Sequence, residues 1–399
     1  MKFLHTSDWH IGRTLNNISL LEEQKHILNE IERIAKEQKV DGIILAGDIY
    51  DRMLPSLDAT QLLDEVISNI IIDSKIPVYA ITGNHDSARR MNFGTTFFKR
   101  NNFYLNTNIE DAIKPIELED TQIFLLPFFD PLDARIYLSQ IGEDDETIKS
   151  YKKIGDYIER IIVEMKKNFD PNKKHILVTH FAVTKTGETP EEFKEALTSE
   201  TTSTVGGLAT INPQIFDDFD YVALGHIHTR TASPSKAVVY SGAPMIYNTD
   251  EAKLKQTKGI FIIDTEKDDL DAQFIEIKPN KEIIKIVATY DEIMDETFYR
   301  EYKGKNAWFA FEIIDYDTKE MEGINVRANI ERIYGNDIIE INIKEKNNET
   351  DFDRTSIEVT KLSEEELISD FYKRSTNKDL SDYQVKLVEE LLVDIRREG

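Results

Sequence analysis

Phe3-Leu4-His5-Thr6-Ser7-Asp8-Trp9-His10-Ile11-Gly12 opens with a short β-rich run and ends on a pair of metal-competent side chains. Four more runs repeat the arrangement: Gly42 to Ala46 before Gly47-Asp48, Val78 to Thr82 before Gly83-Asn84-His85-Asp86, His175 to Thr179 before His180, and Tyr221 to Leu224 before Gly225-His226-Ile227-His228. Between the first runs, Leu20, Ile27, Leu28, Ile31, Ile34 and Ala35 recur at helical spacing and predict a helix over Leu20 to Gln38. Such alternation is that of an α/β fold, in which loops at the carboxyl ends of the strands gather round one site. Five strand ends bearing ligand-type residues therefore predict one shared centre.

The chemistry follows from the donor set. The chain has no cysteine, so only oxygen and imidazole are left as strong metal ligands. Asp8 and His10, two apart on an extended segment, would project the same way and grip one ion. His226 and His228 have the same spacing, but a bend at Gly225 would splay them towards different ions. Asp48 can bridge two cations, and Asn84 offers a neutral oxygen. The predicted ligands are thus Asp8, His10, Asp48, Asn84, His180, His226 and His228, a mixed set suited to Mn²⁺, Fe²⁺, Co²⁺ or Zn²⁺, with Mn²⁺ the first choice. Two such ions clamp a phosphate and activate water, which predicts phosphoester hydrolysis. His85, with Asp86 beside it, is the candidate catalytic pair, placed to protonate the leaving oxygen or stabilise charge. His5, His26 and His175 read as structural. Arg13, Arg52, Arg89, Arg90 and Lys185 are candidate contacts to backbone phosphates. Neither a G-x-G-x-x-G nor a P-loop lysine pattern occurs, so the chain is not expected to hydrolyse nucleotides for energy.

At 399 residues the chain is long for one core, and about two or three folding units are expected. Hydrophobic residues at 40% and charged residues at 31% allow a packed core and argue against wholesale disorder. No basic start with an apolar h-region and no apolar run near ~18 residues is found, so a soluble cytoplasmic protein is expected. The net charge of −25 argues against a nucleic-acid binder that works by bulk attraction alone. The main domain is expected to close at residue 278. A strand–helix–strand–helix–strand unit at 279–345 follows, with strands over Ile283 to Ala288, Ala307 to Ile314 and Ile338 to Ile343. Residues 346–362 read as linker and 363–399 as two helices, each started by a capping box, Ser363 with Glu366 and Ser381 with Gln384. The last helix carries Leu387, Val388, Leu391, Leu392 and Ile395 on one face, which must dock either on the chain's own body or on a partner.

The ordered set Asp8-x-His10, Gly47-Asp48, Gly83-Asn84-His85-Asp86, His180 and Gly225-His226-x-His228 resembles the calcineurin-like metallophosphoesterase superfamily. The opening His5 to Gly12, with Ala46-Gly47-Asp48-Ile49-Tyr50-Asp51 and Tyr240-Ser241-Gly242-Ala243-Pro244, is similar to its branch of bacterial nuclease subunits that work with an SbcC-type ATPase. The resemblance spans the whole chain. It implies a two-sheet sandwich flanked by helices, then a small α/β capping domain and C-terminal helices that bind the ATPase. One ion would be held by Asp8, His10, Asp48 and His228, the other by Asp48, Asn84, His180 and His226, with His85 catalytic. The implied activity is Mn²⁺-dependent double-strand 3′–5′ exonuclease and single-strand or hairpin endonuclease cleavage in DNA repair, recombination and replication, by a homodimer joined to two ATPase subunits. Two rivals remain: a phosphoesterase of small molecules, since the metal site specifies the reaction better than the substrate, and a catalytically silent scaffold.

Overall fold

The computed structural model describes residues 1–189, 192–193, 210–253, 256–267, 270, 272–316, 323–345, 373, 380–381 and 384–385. Strand β1 (Lys2–Thr6) leads into helix α1 (Leu21–Gln38), which turns Ile27, Leu28, Ile31, Ile34 and Ala35 to the core and stops where Lys39 adopts a left-handed backbone. Strand β2 (Gly42–Ala46) and helix α2 (Leu57–Ser68) follow, the helix started by Ser56, whose side chain accepts the Ala59 N–H. Strands β3 (Val78–Ile81) and β4 (Phe103–Asn106) extend the sheet in parallel. A second sheet holds β5 (Ile116–Glu117), β6 (Thr121–Leu126), β7 (Lys174–Thr179), β8 (Tyr221–Leu224) and β9 (Val238–Tyr240). Helix α3 (Ile154–Lys166) covers it. Strands β10 (Gly259–Asp264) and β11 (Gln273–Glu276) return to the first sheet, giving the orders β11-β10-β1-β2-β3-β4 and β9-β8-β7-β6-β5.

Period-two alternation makes the layers. In β2, Ile43 and Leu45 enter the core shared with α1 and α2, while Ile44 and Ala46 enter a core between the sheets. That inter-sheet core takes Ile123 and Leu125 from β6, Ile176 and Val178 from β7, and Tyr221 and Ala223 from β8. The opposite residues Phe124, Leu126, Leu177, Val222 and Leu224 pack with Tyr157, Ile158, Ile161, Ile162 and Met165 of α3. The result is a helix–sheet–sheet–helix sandwich, with strands buried on both faces.

Strands β12 (Glu282–Thr289), β13 (Ala307–Tyr316) and β14 (Ile338–Glu345) form a three-stranded sheet with helix α4 (Val326–Tyr334) between the last two. It has its own core of Ile286, Phe309, Phe311, Ile313 and Ile330. Ile283, Trp308 and Ile339, however, join the core of the first sheet. The sheet beyond the expected boundary at residue 278 thus has a core of its own and a share in that of the first sheet, and chain contacts group Met1–Lys344 as one unit and Glu345–Gly399 as another. The expected linker at 346–362 lies outside the described residues, as do most of 363–399 and the Ser363 capping box. At Ser381 the reciprocal cap is present: its N–H donates to Gln384 Oε1 at 2.9 Å and the Gln384 N–H to Ser381 Oγ at 3.4 Å. Among the described residues, no helix is long and apolar enough to cross a membrane.

Candidate metal centre

The parallel strands β1, β2 and β3 of one sheet and β7 and β8 of the other end at the same rim. There Asp8, His10, Asp48, Asn84, His180, His226 and His228 converge. The extended geometry expected of Asp8 and His10 is not what aligns them. Both sit in left-handed backbone, with φ of 53° and 42°, because this loop is zipped to the next: the Asp8 N–H donates to Gly47 O and the His10 N–H to Asp48 O, each at 3.0 Å. Asp48 (φ 49°) and His226 (φ 88°) are left-handed too. Non-glycine residues hold this conformation at a cost of about 1–3 kcal/mol each, and strain so clustered marks a site whose geometry outranks local comfort. The loops approach so closely that a Cβ on Gly83 would lie 2.2 Å from Asp48 Oδ1, and one on Gly225 1.9 Å from the Ala46 carbonyl oxygen.

The imidazoles of His226 and His228 diverge, as the bend at Gly225 predicts. His228 Nε2 lies 3.1 Å from His10 Nε2, and His226 Nδ1 lies 2.9 Å from Asn84 Oδ1. His180 Nε2 stands 3.1 Å from Asn84 Oδ1 and 3.2 Å from Asp48 Oδ2, and Asp48 Oδ2 is 3.5 Å from His10 Nε2. Asp48 therefore lies between a group of Asp8, His10 and His228 and a group of Asn84, His180 and His226.

The outer ring nitrogens explain which inner atoms carry lone pairs. His180 Nδ1 is 2.8 Å from the Ala46 carbonyl oxygen, and His228 Nδ1 is 3.1 Å from Glu251 Oε1. Each acceptor demands a proton on Nδ1, which leaves Nε2 of the neutral ring as an inward-facing lone pair. Nε2 of His180 then faces only the oxygens of Asp48 and Asn84, and Nε2 of His228 faces that of His10. A lone pair of His180 facing the oxygens of Asp48 and Asn84 in a buried space is a fit for a cation, and nitrogen with carboxylate and amide oxygen is the donor set of a transition-metal site. This is a dimetal phosphoesterase site built of His and Asp clusters.

The electrostatics set the rings apart, and a cation held by His180 would displace a proton from it. Burial opposes charge on His180, but Asp48 outweighs it and lifts this imidazole to about 9. Burial and the neighbouring His180 push His226 down to about 3. Burial, opposed by Lys258 and His228, leaves the Glu251 carboxyl at about 2.

His85 is half-buried at the rim, its N–H donating to Asp48 Oδ1 at 2.8 Å and its Nδ1 lying 2.9 Å from the Asp51 carbonyl oxygen. Asp86 faces away from the ligand cluster. Its carboxylate accepts the N–H groups of Ile49 at 3.0 Å, Tyr50 at 2.9 Å and Gly83 at 2.9 Å, tying the β3 loop to the β2 loop. Arg13 pairs with Asp51 at 2.9 Å and Arg52 approaches the same carboxylate at 3.5 Å. Arg89 and Arg90 are exposed on the short helix Ala88–Met91 after Asp86, and Lys185 on the loop after β7. His5 is buried against the Tyr221 hydroxyl at 3.0 Å. Asp51, which joins His10 and His85 in a third cluster, and Glu251 are neighbours that strand-end motifs do not reveal. Asp51 follows the Gly47-Asp48 motif by three residues, but Glu251 carries no sequence signal.

The family described as calcineurin-like phosphoesterase matches residues 1–230. The chain is 32% identical over 403 residues to the SbcD component of the SbcCD nuclease of Staphylococcus epidermidis, and 32% identical over 400 residues to that of Staphylococcus saprophyticus, with 100% of both chains covered in each case. A crystal structure of a dimetal phosphatase from Danio rerio aligns with 70% of this chain and 99% of that one at 12% identity, with a TM-score of 0.37 too low to carry an argument. The chain belongs to the calcineurin-like phosphoesterase family and, within it, to the SbcD-type nuclease subunits.

Proposed function

We propose that this chain hydrolyses DNA phosphodiester bonds as the nuclease subunit of an assembly with an SbcC-type ATPase. The observation that carries the reading is the convergence of inward-facing lone pairs on both sides of Asp48. Asp8, His10, Asp48 and His228 would hold one cation, and Asp48, Asn84, His180 and His226 the other, with Mn²⁺ preferred because imidazole and oxygen share the ligation. When bound, such cations clamp a scissile phosphate and lower the pKa of an attacking water towards ~7. His85, tethered through its backbone and Nδ1, presents Nε2, which in the doubly protonated ring would donate a proton or hydrogen bond to the reacting phosphoryl group. Asp86 holds the loop of Asn84 and His85 against that of Asp48.

Arg52, Arg89, Arg90 and Lys185 are exposed, which suits contacts to backbone phosphates, although Arg52 shares the Asp51 carboxylate with Arg13, which is held near the rim. The balance of −25 leaves most of the grip on DNA to the partner. Helices within 363–399 would dock on the ATPase, and a homodimer would form through the apolar surface of Met53, Leu54, Leu57, Phe93 and Phe97, each more than 60% exposed. The setting would be cytoplasmic processing of DNA ends in repair, recombination and replication.

The test is Mn²⁺-dependent cleavage of linear duplex, hairpin and single-stranded DNA, with and without the ATPase and ATP, beside an aryl phosphodiester and an Asp48→Ala control. DNA cleavage that Asp48→Ala abolishes and the partner extends to duplex ends is the expected result. Turnover of the aryl diester with no DNA cleaved under any condition would move the substrate to small molecules.

A further inference from the structure

Glu251 is 2% exposed and lies on the five-residue helix Thr249–Lys253, remote in sequence from every strand-end motif. Its Oε1 accepts from His228 Nδ1 at 3.1 Å and from Asn248 Nδ2 at 2.9 Å. Its Oε2 lies 2.8 Å from Lys258 Nζ, and the same ammonium donates to the His228 carbonyl oxygen at 2.9 Å. Ring and backbone of His228 are thus held by one carboxylate–ammonium pair. A buried carboxylate is expensive unless it is fully engaged, so an ion pair spent on one imidazole is a positioning device rather than a source of stability.

Three other residues of the same helix face the three-stranded sheet. Thr249 Oγ1 donates to Glu340 Oε2 on β14 at 2.8 Å, Asp250 pairs with Lys285 on β12 at 2.8 Å, and Lys253 pairs with Glu312 on β13 at 2.8 Å. All three strands of the sheet therefore grip the helix that carries Glu251.

Accepting the metal-centre reading, on which this rests, we infer that Glu251 is a positioning residue for His228 and that the three-stranded sheet, by seating its helix, sets the affinity of the cation His228 would hold. The sheet thereby gains a part in the chemistry although it contributes no ligand. Displacing it would loosen one cation and leave the other.

The experiment is calorimetric titration of the full-length protein with Mn²⁺, comparing wild type with H228A, E251A, E251Q and E312Q, and following hydrolysis only as a secondary readout. Wild type should bind two ions, and H228A should lose one. E251A should weaken that same ion by roughly 10- to 100-fold, the usual cost of removing such a partner, with the other ion unchanged. E251Q, whose amide oxygen still accepts from Nδ1, should lose less. E312Q, which weakens the sheet's hold on Lys253 together with the contacts of Glu312 to Lys285 and Lys344 but touches no ligand, should weaken the same ion by roughly 2- to 30-fold, and it carries the test should E251A not fold. Two ions bound by wild type with neither shifted by E251A or E312Q would overturn the inference and leave the metal centre standing. No Mn²⁺ bound by wild type would overturn the metal centre itself.

Discussion

The backbone N–H of His85 donates to Oδ1 of Asp48 at 2.8 Å, while Oδ2 of the same carboxylate faces His180 at 3.2 Å. One side chain thus fixes the proposed proton donor and stands between the two ligand groups. His85 itself contributes no atom to either group. His85→Ala should therefore retain Mn²⁺ stoichiometry and lower kcat by roughly 10²- to 10⁴-fold, the usual worth of a general acid. Titration with Mn²⁺ beside steady-state kinetics separates the two effects, and hydrolysis at the wild-type rate would remove His85 from the mechanism.

Asp86 shares a motif with His85 but not its surroundings. Both its oxygens are occupied by backbone N–H groups, so Asp86→Asn replaces one acceptor with a donor aimed at a donor. The expected cost is about 1–3 kcal/mol from a buried unsatisfied group, read as a lower urea midpoint, with weaker Mn²⁺ binding as the two loops part. An unchanged midpoint would show that the loops are held by other contacts.

Close approach and backbone strain can be separated at two glycines. Gly142 has φ of +87° with nothing within 4 Å of an added Cβ, so Gly142→Ala should cost about 1 kcal/mol from the left-handed backbone alone. An added Cβ at Gly225 meets the Ala46 carbonyl oxygen at 1.9 Å. A main-chain atom of β2 cannot swing aside as a side chain would, and Gly225→Ala should cost ~3 kcal/mol or more and abolish Mn²⁺ binding. Comparison of the two urea midpoints checks the ranking.

The site was legible to the extent that its residues follow strands. Each of Asp8, Asp48, Asn84, His180 and His226 comes directly after a parallel strand, where chain order and spatial position coincide. Strand β6 lies inside the second sheet, next to its edge strand, yet it is followed by Pro127-Phe128-Phe129, so no polar cluster draws attention to it. Glu251 was invisible for a different reason: it reaches His228 across 23 residues from a helix too short to show periodicity. The left-handed backbone of Asp8 and His10 could not be read either, because it comes from hydrogen bonds to the β2 loop and not from the residues' own preferences.

Self-association has its own test. Between α2 and the segment around Phe93 lies an apolar groove of about 590 Å³, lined by Met53, Leu54, Leu63, Ile67, Phe93 and Phe98, with Leu57 87% and Phe93 86% exposed beside it. If the proposed dimer forms through this surface, wild type should have the mass of a dimer in light scattering and Leu57→Asp combined with Phe93→Asp that of a monomer, while Mn²⁺ stoichiometry stays at the wild-type value, since neither residue touches the ligands. A mass unchanged by the double substitution would place the dimer contact elsewhere.

The acid limb of stability should report on the three-stranded sheet. Hydrogen bonds from Lys253 and then Lys344 hold the Glu312 carboxyl at about 2, below its ordinary 4.5, with Lys285 a further 3.5 Å neighbour. A carboxyl with a depressed folded-state value stabilises fully above its unfolded value, and the contribution is lost as pH falls from about 4.5 towards about 2. Glu312→Gln removes this one titration and leaves every other group to titrate in both proteins. In metal-free buffer with chelator, the thermal midpoint of wild type should exceed that of Glu312→Gln at pH 7, and the gap should narrow as pH drops below about 4.5. A gap that stayed constant through that range would mean that packing, not the charge on Glu312, holds β13 against the helix of Glu251.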